Sequence, residues 1–246
     1  MDSGKLKSSR DVLLFMHITK TAGGSLKEAL KTSQGSDECL FFNVSDMLPV
    51  VQEKHKLVFG HFPFGIHHNL SIAPSYACVL RHPVVRTISH YHHLYNNEKG
   101  PVGDKIRAGG EDINDFFEKS YHWEFENFFS KIISGEKKLD SIGENPNSEA
   151  MYQQSCNNLE KSFKFIGIFE YLDLTVLLLS EKFGISIDKI PKINIGSYKF
   201  DKVSISTLQR ISELNHYDLI LYRDMVNRFL NNFKDSYYNT SITSEA

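Results

Sequence analysis

Apolar residues fall along the chain in two rhythms: short unbroken runs, and longer stretches with an apolar position every three or four residues. The runs at 12–16, 38–44 (centred on Leu40-Phe41-Phe42), 56–62 (centred on Leu57-Val58-Phe59), 75–81 and 163–170 have the length and character of strands buried on both faces. Between them come helical patterns. Leu26, Ala29 and Leu30 follow the first run, and Val84, Ile88, Tyr91 and Tyr95 recur at i, i+4, i+7 and i+11 after Pro83, giving an apolar face with Arg86 and Ser89 on another. Further helices are predicted over 112–135, closed by Gly135, after the polar stretch 136–148, over 171–183 up to Gly184, and over 204–214 and 217–233. A weaker helix is expected at 45–55, where Pro49 starts or breaks it. The glycines and proline of 96–110 predict a flexible loop able to act as a lid. Strand alternating with helix predicts an α/β fold, a mostly parallel sheet flanked by helices on both faces. The 246 residues show no break in composition, so one domain is expected, with 1–10 and 234–246 flexible at its ends.

The first strand runs into Lys20-Thr21-Ala22-Gly23-Gly24-Ser25 and then into the helix beginning near Leu26. Glycines let backbone approach a ligand, and the unpaired N–H groups of a first helical turn carry about half a positive charge from the macrodipole, so residues 21–26 are predicted to hold a phosphate. Thr21 and Ser25 add hydroxyls and Lys20 an ammonium at the mouth. The pattern G-x-x-x-x-G-K-[ST] of ATP-binding loops is absent, because here the lysine precedes the glycines. A second junction follows the 75–81 strand. It ends in Arg81, and the helix after Pro83 carries Ser89, so a guanidinium and a hydroxyl are expected to converge on a second phosphate. His61, just past the 56–62 strand and beside Gly60, is placed to face a cleft at the carboxyl edge of the sheet.

These residues resemble the nucleotide-dependent sulfotransferases, in particular the carbohydrate O-sulfotransferase branch that includes the heparan sulfate enzymes. The loop from His17 to Ser25 is similar to H-I-P-K-T-G-G-T-S, with Thr19 for proline, Ala22 for glycine and Gly24 for threonine. Arg81, Pro83, Arg86, Ser89 and Tyr91 match R-[DN]-P-x-x-R-x-x-S-x-[YF] in register, with His82 in place of the acid. Weaker likenesses lie at Asn127, Lys131 and Gly135, at Phe163 to Glu170, and at Asp218, Leu221 and Tyr222. The resemblance implies a P-loop-like sulfotransferase fold and transfer of a sulfuryl group from 3'-phosphoadenosine 5'-phosphosulfate (PAPS) to an acceptor hydroxyl, without a metal. It implies that the 5'-phosphate sits on Thr21, Ala22, Gly23, Gly24, Ser25 and Leu26 and the 3'-phosphate on Arg81 and Ser89. Lys20 would serve the leaving oxygen, and His61 would take the acceptor's proton. By the same analogy 192–200 would fold over the nucleotide, with Ser197 and Lys199 as extra contacts. The alternatives are a catalytically inactive nucleotide-binding relative, since Thr19, Gly24 and His82 depart from the pattern, and a P-loop kinase.

Composition narrows the rest. A net charge of −2 gives no chain-wide attraction to nucleic acid or polyanionic glycan, so anion sites must be local. Lysines between 161 and 202 read as solvated surface. Three cysteines without metal-ligand spacing predict free thiols. His67, His68, His90, His92 and His93 invite a metal reading, but without a third ligand at fixed spacing they are expected instead on the acceptor side of the cleft or the surface. The aromatics of the 112–135 stretch read mainly as core, with Tyr121 to Trp123 able to face a sugar. No run of about 18 apolar residues occurs; with no signal-like start, the chain reads as cytoplasmic, sequons at Asn43, Asn69 and Asn239 notwithstanding.

Overall fold

The computed structural model, which describes residues 12–33, 36–43, 50–97, 101–110, 112–119, 123–135, 148–184, 187, 191 and 202–243, has a strand in each of the apolar runs. These are β1 (Leu13–Met16), β2 (Cys39–Asn43), β3 (Leu57–His61), β4 (Tyr76–Leu80) and β5 (Phe163–Ile168). They form one sheet in the order β2-β3-β1-β4-β5 with every pairing parallel. The helices are α1 (Gly23–Thr32), α2 (Ile66–Leu70), α3 (Pro83–Asn97), α4 (Pro101–Gly109), α5 (Ile113–Lys119), α6 (Phe128–Ser134), α7 (Ser148–Ser162), α8 (Leu172–Phe183), α9 (Ile205–Leu214) and α10 (His216–Thr243).

The period-two alternation of a strand sorts each run onto two faces. Leu13, Phe15, Leu57, Phe59, Ala77 and Val79 pack with Leu26 and Leu30 of α1 and Val176 and Leu179 of α8. Leu14, Met16, Val58, Tyr76, Cys78 and Leu80 pack with Phe129 of α6, Leu159 of α7 and Leu221 and Phe229 of α10. The central strands are thus buried on both sides, which is why they carry no polar alternation. A third apolar cluster, away from the sheet, joins α3, α4, α5 and α9 through Ile88, Tyr91, Ile106, Phe116, Phe117 and Ile211.

Three expectations are corrected by this layout. The predicted loop over 96–110 is largely helix: α4 starts at Pro101, buries Ile106 in the third cluster, and sends Arg107 Nη1 to the carbonyls of Leu94 (2.8 Å) and Tyr95 (3.1 Å) at the end of α3. Proline is well tolerated in a first helical turn, so it opens this helix and does not mark a loop. The single helix expected over 112–135 is α5, a 3-10 turn at Trp123–Phe125 and α6, with Asn127 left-handed at φ 39° between the last two. Its aromatics serve two cores, Phe116, Phe117 and Phe125 in one and Phe128 and Phe129 in the other. One straight helix could not present them to both. In the 45–55 stretch, 44–49 lie outside the described residues and 50–55 form a turn, closed by His55 N–H to Gln52 C=O (3.1 Å) and Gln52 N–H to His55 Nδ1 (3.0 Å). Helix α10 runs to Thr243, into the stretch expected to be flexible. All three cysteines are free thiols, and Lys161, Lys164, Lys182 and Lys202 are exposed.

Candidate functional site

β3, β1 and β4 lie side by side, and because they are parallel their carboxyl ends form one edge. His61 is the last residue of β3, the 17–25 loop leaves β1, and Arg81 follows β4. The fold thus brings His61, Lys20 and Arg81 to neighbouring positions on that edge, from places far apart in sequence.

The loop is shaped by two non-glycine residues in the left-handed region, Lys20 (φ 70°) and Ala22 (φ 68°), a conformation that costs an L-residue roughly 1–2 kcal/mol. Its interior holds the bend: Thr21, 2% exposed, donates its hydroxyl to the Ile18 carbonyl at 2.8 Å. The Thr21 hydroxyl is therefore spent inside the loop. Likewise the Leu26 N–H donates to Ala22 C=O at 3.0 Å as the first bond of α1, and the Leu26 side chain is core. With its N–H committed inside the helix, Leu26 drops out of the expected set of phosphate donors, and the N–H groups of 21–25 precede it at the helix start. No side chain caps α1, and its first turn carries no acid, so the positive end of its dipole meets no carboxylate there. Ser25 is buried and Gly24 exposed.

Gly23 has a second reason to be glycine. A Cβ there would fall 1.5 Å from His17 Nε2, so the imidazole of His17 lies directly against the loop backbone. That ring packs against His61, tilted by 31° with centroids 4.0 Å apart, and His61 is hydrogen-bonded to the His17 main chain. Burial, helped by the charges of His61, Lys27 and Lys20, depresses the His17 pKa to about 3. Burial is also the main cause of the lowered His61 pKa, with Lys27 adding to it and the hydrogen bond opposing. Both imidazoles are neutral at pH 7, the state in which a histidine can accept a proton.

On the β4 side, Arg81 Nη1 donates to the Lys20 carbonyl at 3.1 Å and its guanidinium lies 4.2 Å from the Phe169 ring centroid. The following His82 N–H donates to Glu170 Oε1 (2.9 Å), and Tyr222 hydroxyl donates to Oε2 (2.8 Å), so Glu170 fastens this turn to α10. Ser89 is buried further along α3. Sequence reasoning missed Arg86 as a site-building residue. It is 1% exposed and donates Nη2 to Thr19 Oγ1 at 2.6 Å and Nη1 to Glu124 C=O, with its guanidinium 3.7 Å from the Phe128 ring centroid. Burial lowers its pKa to about 9, against the nearby Glu124 and Asp218, so it stays charged at neutral pH. The signal was present: an arginine one helical turn from an apolar stripe can be buried only if it is paired.

The histidines do not form a metal cluster; among the described residues no group of three His, Cys, Asp or Glu side chains could hold one. His90 pairs through Nε2 with Glu124, and His67 Nδ1 bonds Tyr76 hydroxyl (2.8 Å) at the start of β4, the sheet edge opposite His61. These two are structural, not cleft-lining as the sequence suggested. Trp123, half-buried, stacks on Phe128 at 6.0 Å and packs against the core. Tyr121, Ser197 and Lys199 lie outside the described residues. Among the described residues no helix is long and apolar enough to cross a membrane.

A family model described as "Sulfotransferase family" matches residues 6–223, most of the chain. No curated protein matches it.

Proposed function

The chain belongs to the sulfotransferase family, and on that premise we propose that it moves a sulfuryl group from PAPS to an acceptor hydroxyl on a carbohydrate or small molecule. The observation that carries this reading is the shared edge: a glycine loop opening a helix, an arginine and a histidine end three adjacent parallel strands. A nucleotide with phosphates at both 3' and 5' needs two separated anion pockets, whereas a nucleoside triphosphate gathers its phosphates on one loop. Two strand ends tied by the Arg81–Lys20 hydrogen bond fit the former. The loop's likeness to the carbohydrate O-sulfotransferase pattern favours a sugar hydroxyl as acceptor.

The donor supplies a sulfuryl group activated by a phosphate leaving group; in-line displacement forms the acceptor O–S bond as the S–O bond to phosphate breaks, the electron pair staying on phosphate. The N–H groups of Thr21, Ala22, Gly23, Gly24 and Ser25 hold the 5'-phosphate. Lys20 neutralises the charge that builds on its leaving oxygen. Arg81, with Ser89, holds the 3'-phosphate. His61, neutral because it is buried, accepts the acceptor's proton. No step asks for a metal.

Calorimetry with adenosine 3',5'-bisphosphate against ADP tests the donor site. Preference for the bisphosphate by at least tenfold, lost in Arg81→Ala, is expected; equal binding of both nucleotides would sink the reading. With PAPS and an acceptor panel, His61→Ala should abolish turnover and leave bisphosphate affinity nearly intact. Selective binding without turnover by the native protein would leave a nucleotide-binding module instead.

A further inference from the structure

We propose that Thr19 and Arg86 are positioning residues that lock the 5'-phosphate loop to the helix of the 3'-phosphate site, so that both anion subsites are held as one unit. The inference rests on the sulfotransferase reading above. Thr19 stands where the resembling pattern has proline, which has no hydroxyl to offer. Here the threonine oxygen accepts from Arg86 Nη2 at 2.6 Å, and the Thr19 carbonyl lies 3.4 Å from Arg86 Nε. One residue later, the Lys20 carbonyl accepts from Arg81 Nη1 at 3.1 Å. Two guanidinium groups from the β4–α3 segment therefore grip consecutive residues of the loop, at and just before its left-handed bend at Lys20.

The grip is firm because Arg86 has nowhere else to go. It is 1% exposed, sits against Phe128, and its Nη1 is held by the Glu124 carbonyl. Glu124 is in turn held to α3 by its carboxylate on Nε2 of His90, one turn beyond Arg86. Buried charge-assisted hydrogen bonds are the strong ones and leave little slack. A left-handed lysine is intrinsically unfavourable, so the bend that aims Lys20 persists while its two flanking carbonyls and the Thr19 hydroxyl are held. Loss of the hydroxyl would loosen the 5' side and leave Arg81 and Ser89 in place.

Thr19→Val keeps the side chain's shape and removes the acceptor oxygen; Thr19→Ser restores it. Each is titrated by calorimetry with adenosine 3',5'-bisphosphate, adenosine 5'-monophosphate and adenosine 3'-monophosphate, and melted in parallel. Thr19→Val should weaken both ligands that carry a 5'-phosphate roughly tenfold and leave the 3'-monophosphate unchanged, and Thr19→Ser should recover most of the loss. Native-like binding by Thr19→Val, or parallel loss of all three ligands with no rescue by serine, overturns the proposal. A native protein that binds the bisphosphate no better than ADP overturns the donor reading, and this one with it; native selectivity with an indifferent valine variant overturns this one alone.

Discussion

His17 shows how much one side chain can be asked to do. Its ring backs the loop at Gly23 and packs against His61, and burial holds its pKa at about 3. An unfolded histidine takes up a proton as pH falls through about 6.5, while the folded His17 does not until about 3. Acid therefore favours the unfolded chain across that window, and His17 contributes stability that is whole above it and lost as pH falls through it. His55, His61, His67, His82 and His92, also lowered mainly by burial, act in the same direction, and buried Asp218, whose pKa is raised, opposes them. Denaturant midpoints measured from pH 7 to 4 should fall steadily, and His17→Phe should flatten that fall; an unchanged slope would show that His17 is not held neutral. Gly23→Ala would drive a methyl into the ring. The sequence marks Gly23 as a place for close approach, but the ligand-facing reason is only half of it. The ring beneath it comes from six residues earlier, and no periodicity encodes that contact.

At the scale of elements, the helix layer over β1 and β4 is fastened by exchanged caps. Asp218, in the first turn of α10, accepts from the N–H groups of Phe129 (2.7 Å) and Ser130 (2.9 Å) and from Ser130 hydroxyl (2.7 Å) at the start of α6. In return Asn127 Oδ1 accepts from the N–H groups of Tyr217 (3.0 Å) and Asp218 (3.3 Å). The far end of α6 is closed by Asn158 Nδ2 on the Ile133 carbonyl (2.8 Å) and by left-handed Gly135, where a Cβ would meet the Phe64 carbonyl at 2.8 Å. Lys131, 4% exposed, bonds Trp123 C=O and Glu126. The spacing of Asn127, Lys131 and Gly135, legible as a likeness, is thus a set of fastenings for a helix of only two turns. Asp218→Ala strips three donors of their acceptor and leaves Arg86 with one carboxylate fewer nearby. It should destabilise the fold by about 3–5 kcal/mol, read from the denaturant midpoint; a loss under about 1 kcal/mol would mean water replaces the carboxylate at this buried spot.

For the whole molecule, the sheet was readable and the layers around it less so. Strands buried on both faces announce themselves as apolar runs, and β1 to β5 fall where those runs do. The strand ends placed Lys20, His61 and Arg81 correctly on one edge, because the parallel order of an α/β sheet leaves them few other places. Helices were misread where one segment had to turn between two cores, as at Asn127, or where a proline opened a helix, as at Pro101. Arg86 escaped because its partners Thr19 and Glu124 come from segments that only the folded chain brings together.

The exchanged caps also set an order of events during synthesis. Asn127 and Arg86 leave the ribosome long before Asp218, so a nascent chain grown only through α8 carries α6 without its cap and lacks α10, whose Leu221 and Phe229 complete one face of the sheet. Such a chain exposes apolar surface that the finished protein hides, and a buried arginine short of one neighbouring carboxylate. A polypeptide ending at residue 200, without α9 and α10, should accordingly be cut rapidly by protease and bind hydrophobic dye, while the full chain resists both; equal resistance would show that the last two helices are dispensable. The strand-end edge that carries Lys20, His61 and Arg81, although drawn from the first third of the chain, therefore stands on a sheet whose one face is covered only once α10 has been made.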